Sequence, residues 1–193
     1  LFLLISLIAQ TPARVVGHFL PPSAKSLLTS WGGTVWSGQA NTQYHSLQGQ
    51  LRWTLDPLAF FRLGAGVKWE LLTGDSHMTG RLVLRSGGWE LRQVKGELSG
   101  RDLKAVMENW SFPSTPLVVQ GLDLLRKSQG WQGSGGQVQW QGGNIEYFIN
   151  GQKQALNLPP VVLTLSAEGE RLKLELTEQQ GGAGLATFVV NGG

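Results

Sequence analysis

Histidines and a cluster of glutamates are the side chains whose types could do chemistry here. The histidines, His18, His45 and His77, are isolated, and the chain has no cysteine. Transition-metal sites need several His, Cys or carboxylate ligands at defined spacings. The sequence therefore predicts no metal site. The glutamates lie around one predicted hairpin, at positions Glu168, Glu170, Glu175 and Glu178. Charges around a hairpin usually form a solvated face, so we expect no paired-carboxylate site.

Glycine-rich motifs that bind phosphate or position a nucleophile are the next candidates. The Gly133-Ser-Gly-Gly136 run lacks the Lys and Ser/Thr that follow in a phosphate-binding loop, so it predicts a turn. Neither a dinucleotide fingerprint nor a Gly-x-Ser-x-Gly elbow occurs. The sequence thus predicts a protein that is not an enzyme and that holds no cofactor.

The composition limits the classes of partner. The 193 residues carry a net charge of +3, but their 16 Lys and Arg are scattered, and the longest basic run is Arg126-Lys127. Nucleic-acid binding needs a basic patch or stripe, so we expect no nucleic-acid partner. A chain without cysteine is compatible with any redox compartment.

Alternating apolar and polar residues predict the elements that would carry any site. Leu51, Trp53 and Leu55 alternate with polar residues, as in a strand with one buried face. Trp89 and Leu91 are out of phase with Val94, which predicts a β-bulge near Gln93. Strands joined by glycine turns predict a mainly β fold, a curved antiparallel sheet or open β-roll.

Two short helices are predicted within this β fold. Asp56 before Pro57 is a good N-cap, so a helix is expected over Pro57 to Leu63. A second apolar stripe has helical spacing and comprises Leu103, Val106, Met107 and Trp110. We expect this stripe to pack against the sheet. A helix that binds a partner is the alternative.

The first nine residues are almost all apolar, and the chain begins without Met. A membrane-spanning helix needs about 20 such residues, so part of this segment is expected to be missing. We interpret residues 1–20 as a truncated single-pass anchor with an interfacial helix, and residues 21–193 as one β domain. The apolar core of a cleaved export signal is the alternative.

Eight tryptophans need an explanation. We expect Trp36 to be buried in a strand that runs from Gly33 to Gly38, on one face with Thr34 and Gly38. Trp53, Trp69, Trp89 and Trp140 are also interpreted as core. The alternative is an apolar concave surface that holds a lipid or a partner strand. Trp31 and Trp131 lie beside glycines, are expected to be more exposed, and are candidates for an interface.

Several short motifs occur in an order that resembles the type II secretion system protein N family. They are Thr11-Pro-Ala13, Leu27 to Trp31, Gly33-Thr-Val-Trp-Ser-Gly38-Gln-Ala40, Leu51-Arg-Trp53, Gly136-Gln-Val-Gln-Trp140 and Leu158-Pro159. The family motif residues are Gly33, Thr34, Trp36, Gly38, Trp53, Gly136 and Trp140, all expected to be structural.

The resemblance implies an accessory subunit of the secretion machinery in the bacterial inner membrane. It implies a single-pass anchor, a periplasmic β domain that contacts other secretion subunits, and no catalytic residues. The family is also similar to large envelope proteins with groove-shaped sheets thought to move lipids. A lipid-binding or envelope-bridging groove is therefore the alternative function.

Overall fold

Antiparallel strands make up most of the chain. A computed structural model describes residues 9–20, 22–56, 64–107, 110–149 and 151–191. The strands within these ranges are β1 Leu28–Gly33, β2 Ser37–Tyr44, β3 Leu47–Asp56, β4 Gly64–Thr73, β5 Ser76–Arg85, β6 Gly88–Leu98, β7 Trp110–Ser111, β8 Leu117–Lys127, β9 Gly130–Trp131, β10 Gly135–Trp140, β11 Gly143–Ile149, β12 Gln152–Leu158, β13 Val161–Glu168, β14 Arg171–Glu178 and β15 Gly184–Asn191.

Most of these strands form one large open sheet. Its strand order is β1-β2-β3-β4-β5-β6-β8-β10-β13-β14-β15, and β9 pairs with β8. A separate small sheet has the order β12-β11-β7. Apart from the short β9, each strand of the large sheet thus lies beside the next large-sheet strand along the chain. The predicted mainly β, antiparallel fold is confirmed, and β1 and β15 are the two edges of the large sheet.

The register aligns apolar residues across neighbouring strands. Leu51 lies opposite Leu71 and Val67 opposite Leu82 in the first half of the sheet. Leu163 lies opposite Leu176 in the second half. Because strand side chains alternate between faces, this register concentrates apolar side chains on one face of the large sheet, which we call the apolar face. The opposite, polar face carries pairs such as Arg52 and Glu70.

The predicted bulge at Gln93 is present. The register between β5 and β6 shifts between Thr79 and Arg81, and that between β6 and β8 shifts after Leu91. Gln93 has a φ of 52°, and its backbone N–H donates to Asp123 Oδ1 at 2.6 Å. The bulge restores the apolar phase of β6, so that Val94 is buried.

Four short helical segments are described. A 3-10 turn at Ala13–Val15 runs into α1 at Val16–Phe19, and α2 spans Pro22–Lys25. The longest helix, α3, spans Gly100–Val106, and its N-cap Ser99 accepts from the Asp102 N–H. The other predicted helix, at Pro57 to Leu63, lies outside the described residues.

The apolar stripe predicted near α3 is only partly helical. The helix ends at Val106, and Trp110 belongs to strand β7. Val106, Met107 and Trp110 are all exposed. The prediction that this stripe packs against the sheet is therefore wrong for these three residues. The tertiary structure separates them because the chain leaves the helix and joins the small sheet.

The start of the described chain packs on the β1–β2 hairpin. Ala13 is buried, Pro12 forms a bridge with Thr34, and the Val35 N–H donates to Thr11 O at 2.9 Å. No helix in the described ranges has the length and apolar character needed to cross a membrane. Residues 1–8 of the predicted anchor segment 1–20 lie outside those ranges.

Two small clusters of buried apolar residues lie at separated parts of the sheet. The first combines Ala13, Ala40 and Trp53, where the N-terminal segment covers β2 and β3. The second combines Trp140 and Val161 with Ile145 of the small sheet. No large side chain of the described residues is completely buried. The apolar face is therefore only partly covered by other elements.

Candidate functional site

The segment Gly33 to Gly38 is a hairpin turn and not one strand. β1 ends at Gly33, which has a φ of 81°, and β2 begins at Ser37. The Thr34 N–H donates to Ser37 O at 2.9 Å, and the Ser37 N–H donates to Thr34 Oγ1 at 3.2 Å. A positive φ favours glycine, so Gly33 permits the turn that the strand prediction missed.

Trp36 lies in this turn and is half-buried. Its carbonyl accepts from the Leu55 N–H at 2.7 Å, which ties the turn to β3. The prediction that Trp36 is buried on a strand face with Thr34 and Gly38 is therefore wrong. Gly38 does leave space for an indole, as predicted, but this space is occupied by an indole other than that of Trp36.

Trp53 of β3 fills the space at Gly38. The two residues lie directly opposite each other, and a Cβ added to Gly38 would collide with the indole. The Trp53 Nε1–H donates to Val35 O at 3.0 Å. On the next strands Trp69 lies opposite Gly80, where an added Cβ would be 2.7 Å from the ring. A row of glycine, two tryptophans and glycine thus crosses β2 to β5.

Gly136 and Trp140 of the Gly136-Gln-Val-Gln-Trp140 motif also make close contacts within the fold. Gly136 has a φ of 132° and approaches the backbone of Leu122 closely. Trp140 is buried, and its Nε1–H donates to Thr115 Oγ1 at 3.0 Å. The Thr115 hydroxyl donates in turn to Gly142 O at 3.1 Å. These two hydrogen bonds connect β10 to the segment before β8 and to the turn between β10 and β11.

The two tryptophans predicted at an interface are half-buried and packed on other tryptophans. Trp31 meets Trp53 edge-on at 5.8 Å between ring centroids, and Gly17 of α1 packs on Trp31. Trp131 meets Trp89 edge-on at 5.8 Å, with the Arg126 guanidinium 5.3 Å from the Trp131 ring. An interface role for Trp31 and Trp131 remains a prediction.

The predicted glutamate hairpin forms a solvated ion-pair group. Lys173 Nζ lies 2.8 Å from Glu175 and 3.1 Å from Glu168. The hydrogen bond to Glu175, followed by that to Glu168, raises the pKa of the lysine above its ordinary value of 10.5. The carboxylates pair with the lysine and not with each other. Among the described residues, no group of three His, Asp or Glu side chains could hold a metal ion.

An apolar groove lies where α3 faces the first strands of the sheet, and we call it the α3 groove. Its volume is about 320 Å³. Its lining is Leu27, Leu28, Thr42, Gln43, Tyr44, Leu47, Leu71, Thr73 and Val106. Sequence reasoning missed this site, because its residues come from five elements, the strands β1 to β4 and α3. The sequence offered one indication of this site, which is that Val106 belongs to the apolar stripe with helical spacing.

A polar cleft adjoins the α3 groove. It is lined by Arg101 and Lys104 of α3 and by His45 of the β2–β3 turn, and Leu47 lines both cavities. Arg101 pairs with Asp75 at 2.8 Å, and both side chains are exposed. Lys104 makes no ion pair with any described residue. Apolar and cationic surfaces therefore meet at Leu47.

A buried carboxylate holds α3 in place beside this groove. Asp102 accepts hydrogen bonds from the hydroxyls of Ser76 and Thr73, at the β4–β5 hairpin. The Ser99 N–H donates to Ser76 Oγ at 2.9 Å. Ser76, Ser99 and Asp102 are all buried. These bonds join the N-terminus of α3 to the sheet and so set the distance between Val106 and the strands.

The last described strand is an uncovered edge of the large sheet. β15 pairs with β14 on one side and has no strand on its other side among the described residues. It carries no charged residue, and its exposed side chains include Leu185, Phe188, Val189 and Val190. The opposite edge differs, because the N-terminal segment pairs next to β1. Both edge strands carry an irregularity, at Ser30 in β1 and at Leu185 near the start of β15.

The family model of the type II secretion system (T2SS), protein N, matches residues 27–191, a range that contains every strand from β1 to β15. Searches of curated proteins and of solved structures found no match. The family match covers most of the chain and confirms the resemblance of its Gly and Trp motifs. The chain therefore belongs to the type II secretion system protein N family.

Proposed function

We propose that this chain is an accessory subunit of the type II secretion machinery with a structural or assembly role. In this proposal the chain is anchored in the inner membrane, and its β domain lies in the periplasm and contacts other secretion subunits. Family membership supports the secretion role. The structural observation that carries the assembly role is the uncovered edge strand β15.

An uncovered edge strand presents a row of backbone donors and acceptors that can pair with another strand. Proteins usually protect such an edge with charges, proline or a bulge. β15 has eight residues, none of which is charged or proline, and its one register shift lies at Leu185, so that residues 186–191 form a regular edge. Its outward backbone groups and exposed apolar side chains therefore suit an uncharged strand from another secretion subunit. Such strand addition is a common mode of recognition.

Charge insertion on β15 tests this proposal. Val189→Lys places a cation on the edge, at a side chain that is 53% exposed. Ile149→Lys, on β11, is the matched control because Ile149 is β-branched and 54% exposed. We expect Val189→Lys, but not Ile149→Lys, to reduce co-purification with other secretion subunits from mild detergent and to reduce secretion. Equal recovery of those subunits with both variants would contradict the assignment of β15.

A second candidate function is lipid binding on the apolar face. The observation that favours it is the α3 groove, whose open lining consists mainly of apolar side chains. Exposed apolar surface of this kind usually marks a binding site. Native mass spectrometry of the purified chain tests it: we expect masses that correspond to bound phospholipid. Spectra that contain only the mass of the unbound chain would count against lipid binding.

A further inference from the structure

We propose that the α3 groove binds one acyl chain of an anionic lipid, with the lipid headgroup at Arg101 and Lys104. The proposal rests on the second candidate function above and adds to it a site and a ligand class. Three features of the described residues support it: the composition of the groove lining, the size of the groove, and the cationic side chains at one end.

Apolar side chains dominate the lining of the groove, and its polar members are Thr42, Gln43, Tyr44 and Thr73. Leu28, Leu47 and Leu71 line its sheet side, and Val106 of α3 lines the other. Thr73 contributes a hydroxyl, but that hydroxyl donates to the Asp102 carboxylate. A methylene chain makes no hydrogen bonds, so it suits this lining better than a peptide backbone, whose polar groups would stay unpaired.

The size of the groove suits part of one acyl chain and not a whole lipid. Its volume of about 320 Å³ is at the lower end of the range of roughly 300–1,000 Å³ that is usual for small-molecule pockets. Its rim residues Leu27, Tyr44 and Val106 are exposed. A ligand can therefore enter from the side, and the rest of a two-chain lipid would remain outside the groove.

The charges at the adjoining cleft match an anionic headgroup. Lys104 and Arg101 lie on α3, within two turns of Val106, and both line the cleft. Asp102 also lines this cleft, but its side chain is buried and its carboxylate accepts hydrogen bonds from the Ser76 and Thr73 hydroxyls of the sheet. The Arg101–Asp75 pair is exposed, and such pairs are weak enough to exchange partners. An anionic phosphate would therefore meet two cationic side chains.

Photocrosslinking in the full chain tests the acyl-chain site. Tyr44 is replaced by p-benzoyl-phenylalanine, which preserves an aromatic ring on the rim of the groove. Phe148, which is 57% exposed against 41% for Tyr44, receives the same replacement as the control. After irradiation in bacterial membranes, we expect an intact-mass shift equal to a phospholipid at position 44 and none at 148. Equal lipid adducts at both positions, a protein adduct at 44, or no adduct at 44 would each overturn the proposal.

Charge reversal in the crosslinking chain tests the headgroup assignment. Lys104→Glu should lower the ratio of phosphatidylglycerol to phosphatidylethanolamine adducts at position 44 by about fivefold or more, since one basic residue near a headgroup is worth about 1 kcal/mol. Lys95→Glu, at an exposed position on the polar face, should leave the ratio unchanged. The same ratio in the parent and the Lys104→Glu chain would overturn the headgroup assignment.

Two further measurements keep the outcomes separate. Thermal unfolding of each variant shows whether a lost adduct reflects a lost fold. Co-purification with the other secretion subunits is measured on the same samples. If position 44 gives no lipid adduct while the chain still co-purifies with the other subunits, only the lipid site is overturned. If the parent chain does not co-purify with them, only the assembly role is contradicted.

Discussion

The indole of Trp53 lies across Gly38 on the neighbouring strand, and its Nε1–H donates to Val35 O at 3.0 Å. This contact joins β3 to the turn between β1 and β2. It also forms the larger part of the buried cluster beneath the N-terminal segment, together with Ala13 and Ala40. The stability of this half of the sheet should therefore depend on the Trp53–Gly38 pair more than on Trp36.

Removal of the Trp53 side chain should destabilise the domain strongly. Trp53→Ala removes a buried aromatic ring and one hydrogen bond, at an expected cost of about 3–5 kcal/mol. Denaturant unfolding followed by circular dichroism measures this change. Trp36→Ala is the control, since the Trp36 ring is only half-buried, and it should cost less. A larger decrease in the free energy of unfolding from Trp36→Ala than from Trp53→Ala would show that the turn, and not the Trp53 contact, stabilises this region.

Addition of a single methyl group at Gly38 should also destabilise the domain. The new Cβ would collide with the Trp53 ring and lie 2.8 Å from Thr34 O, so we expect a cost of about 1–3 kcal/mol. Gly32→Ala is the matched control, because its nearest neighbour is the flexible Gln39 side chain at 3.5 Å. The cost of Gly38→Ala should shrink in a Trp53→Ala background. An unchanged cost in that background would assign the effect to the backbone.

Loss of the Asp102 carboxylate should release α3 from the sheet. Asp102→Ala leaves the buried Ser76 hydroxyl without its acceptor, at an expected cost of about 1–3 kcal/mol. Hydrogen exchange should show faster exchange in α3 than in β8. Asp75→Ala removes only an exposed ion pair with Arg101 and should change stability by less than about 1 kcal/mol. Equal exchange in α3 for both variants would contradict the anchoring role of Asp102.

The Lys173 ion pairs predict a stability difference that depends on pH. Hydrogen bonds to Glu175 and Glu168 raise the pKa of Lys173 above 10.5. The charged lysine therefore contributes stability that is fully present below pH 10.5 and is lost as the pH rises through the higher folded-state pKa. The stability difference between the parent chain and Lys173→Met should be constant at neutral pH and vanish at strongly alkaline pH. A difference that persists there would indicate packing of the lysine stem.

The alternation of apolar and polar residues was sufficient to predict the mainly β, antiparallel fold and the bulge at Gln93. Strand periodicity is a local property, and a bulge changes the phase of that periodicity within a few residues. The family was also recognisable from short motifs such as Gly33 to Ala40. The conformation of this motif could not be predicted from its sequence, because the spacing Gly-x-x-x-x-Gly fits a strand or a turn. In the structure Thr34 forms a bridge with Pro12, and this bridge favours the turn.

The pairing of residues distant in sequence was decided only by the tertiary structure. Which indole occupies the space at Gly38 depends on the register of β2 and β3, and the sequence suggested Trp36 where the fold uses Trp53. The α3 groove likewise requires Val106 and Leu71 to line one cavity, where the Asp102 bonds to Ser76 and Thr73 hold α3 beside the sheet. Alternation assigns each side chain to a face of its own strand, because that depends on neighbours along the chain. Contacts between strands and helices depend on register and docking, which are set when the whole sheet assembles.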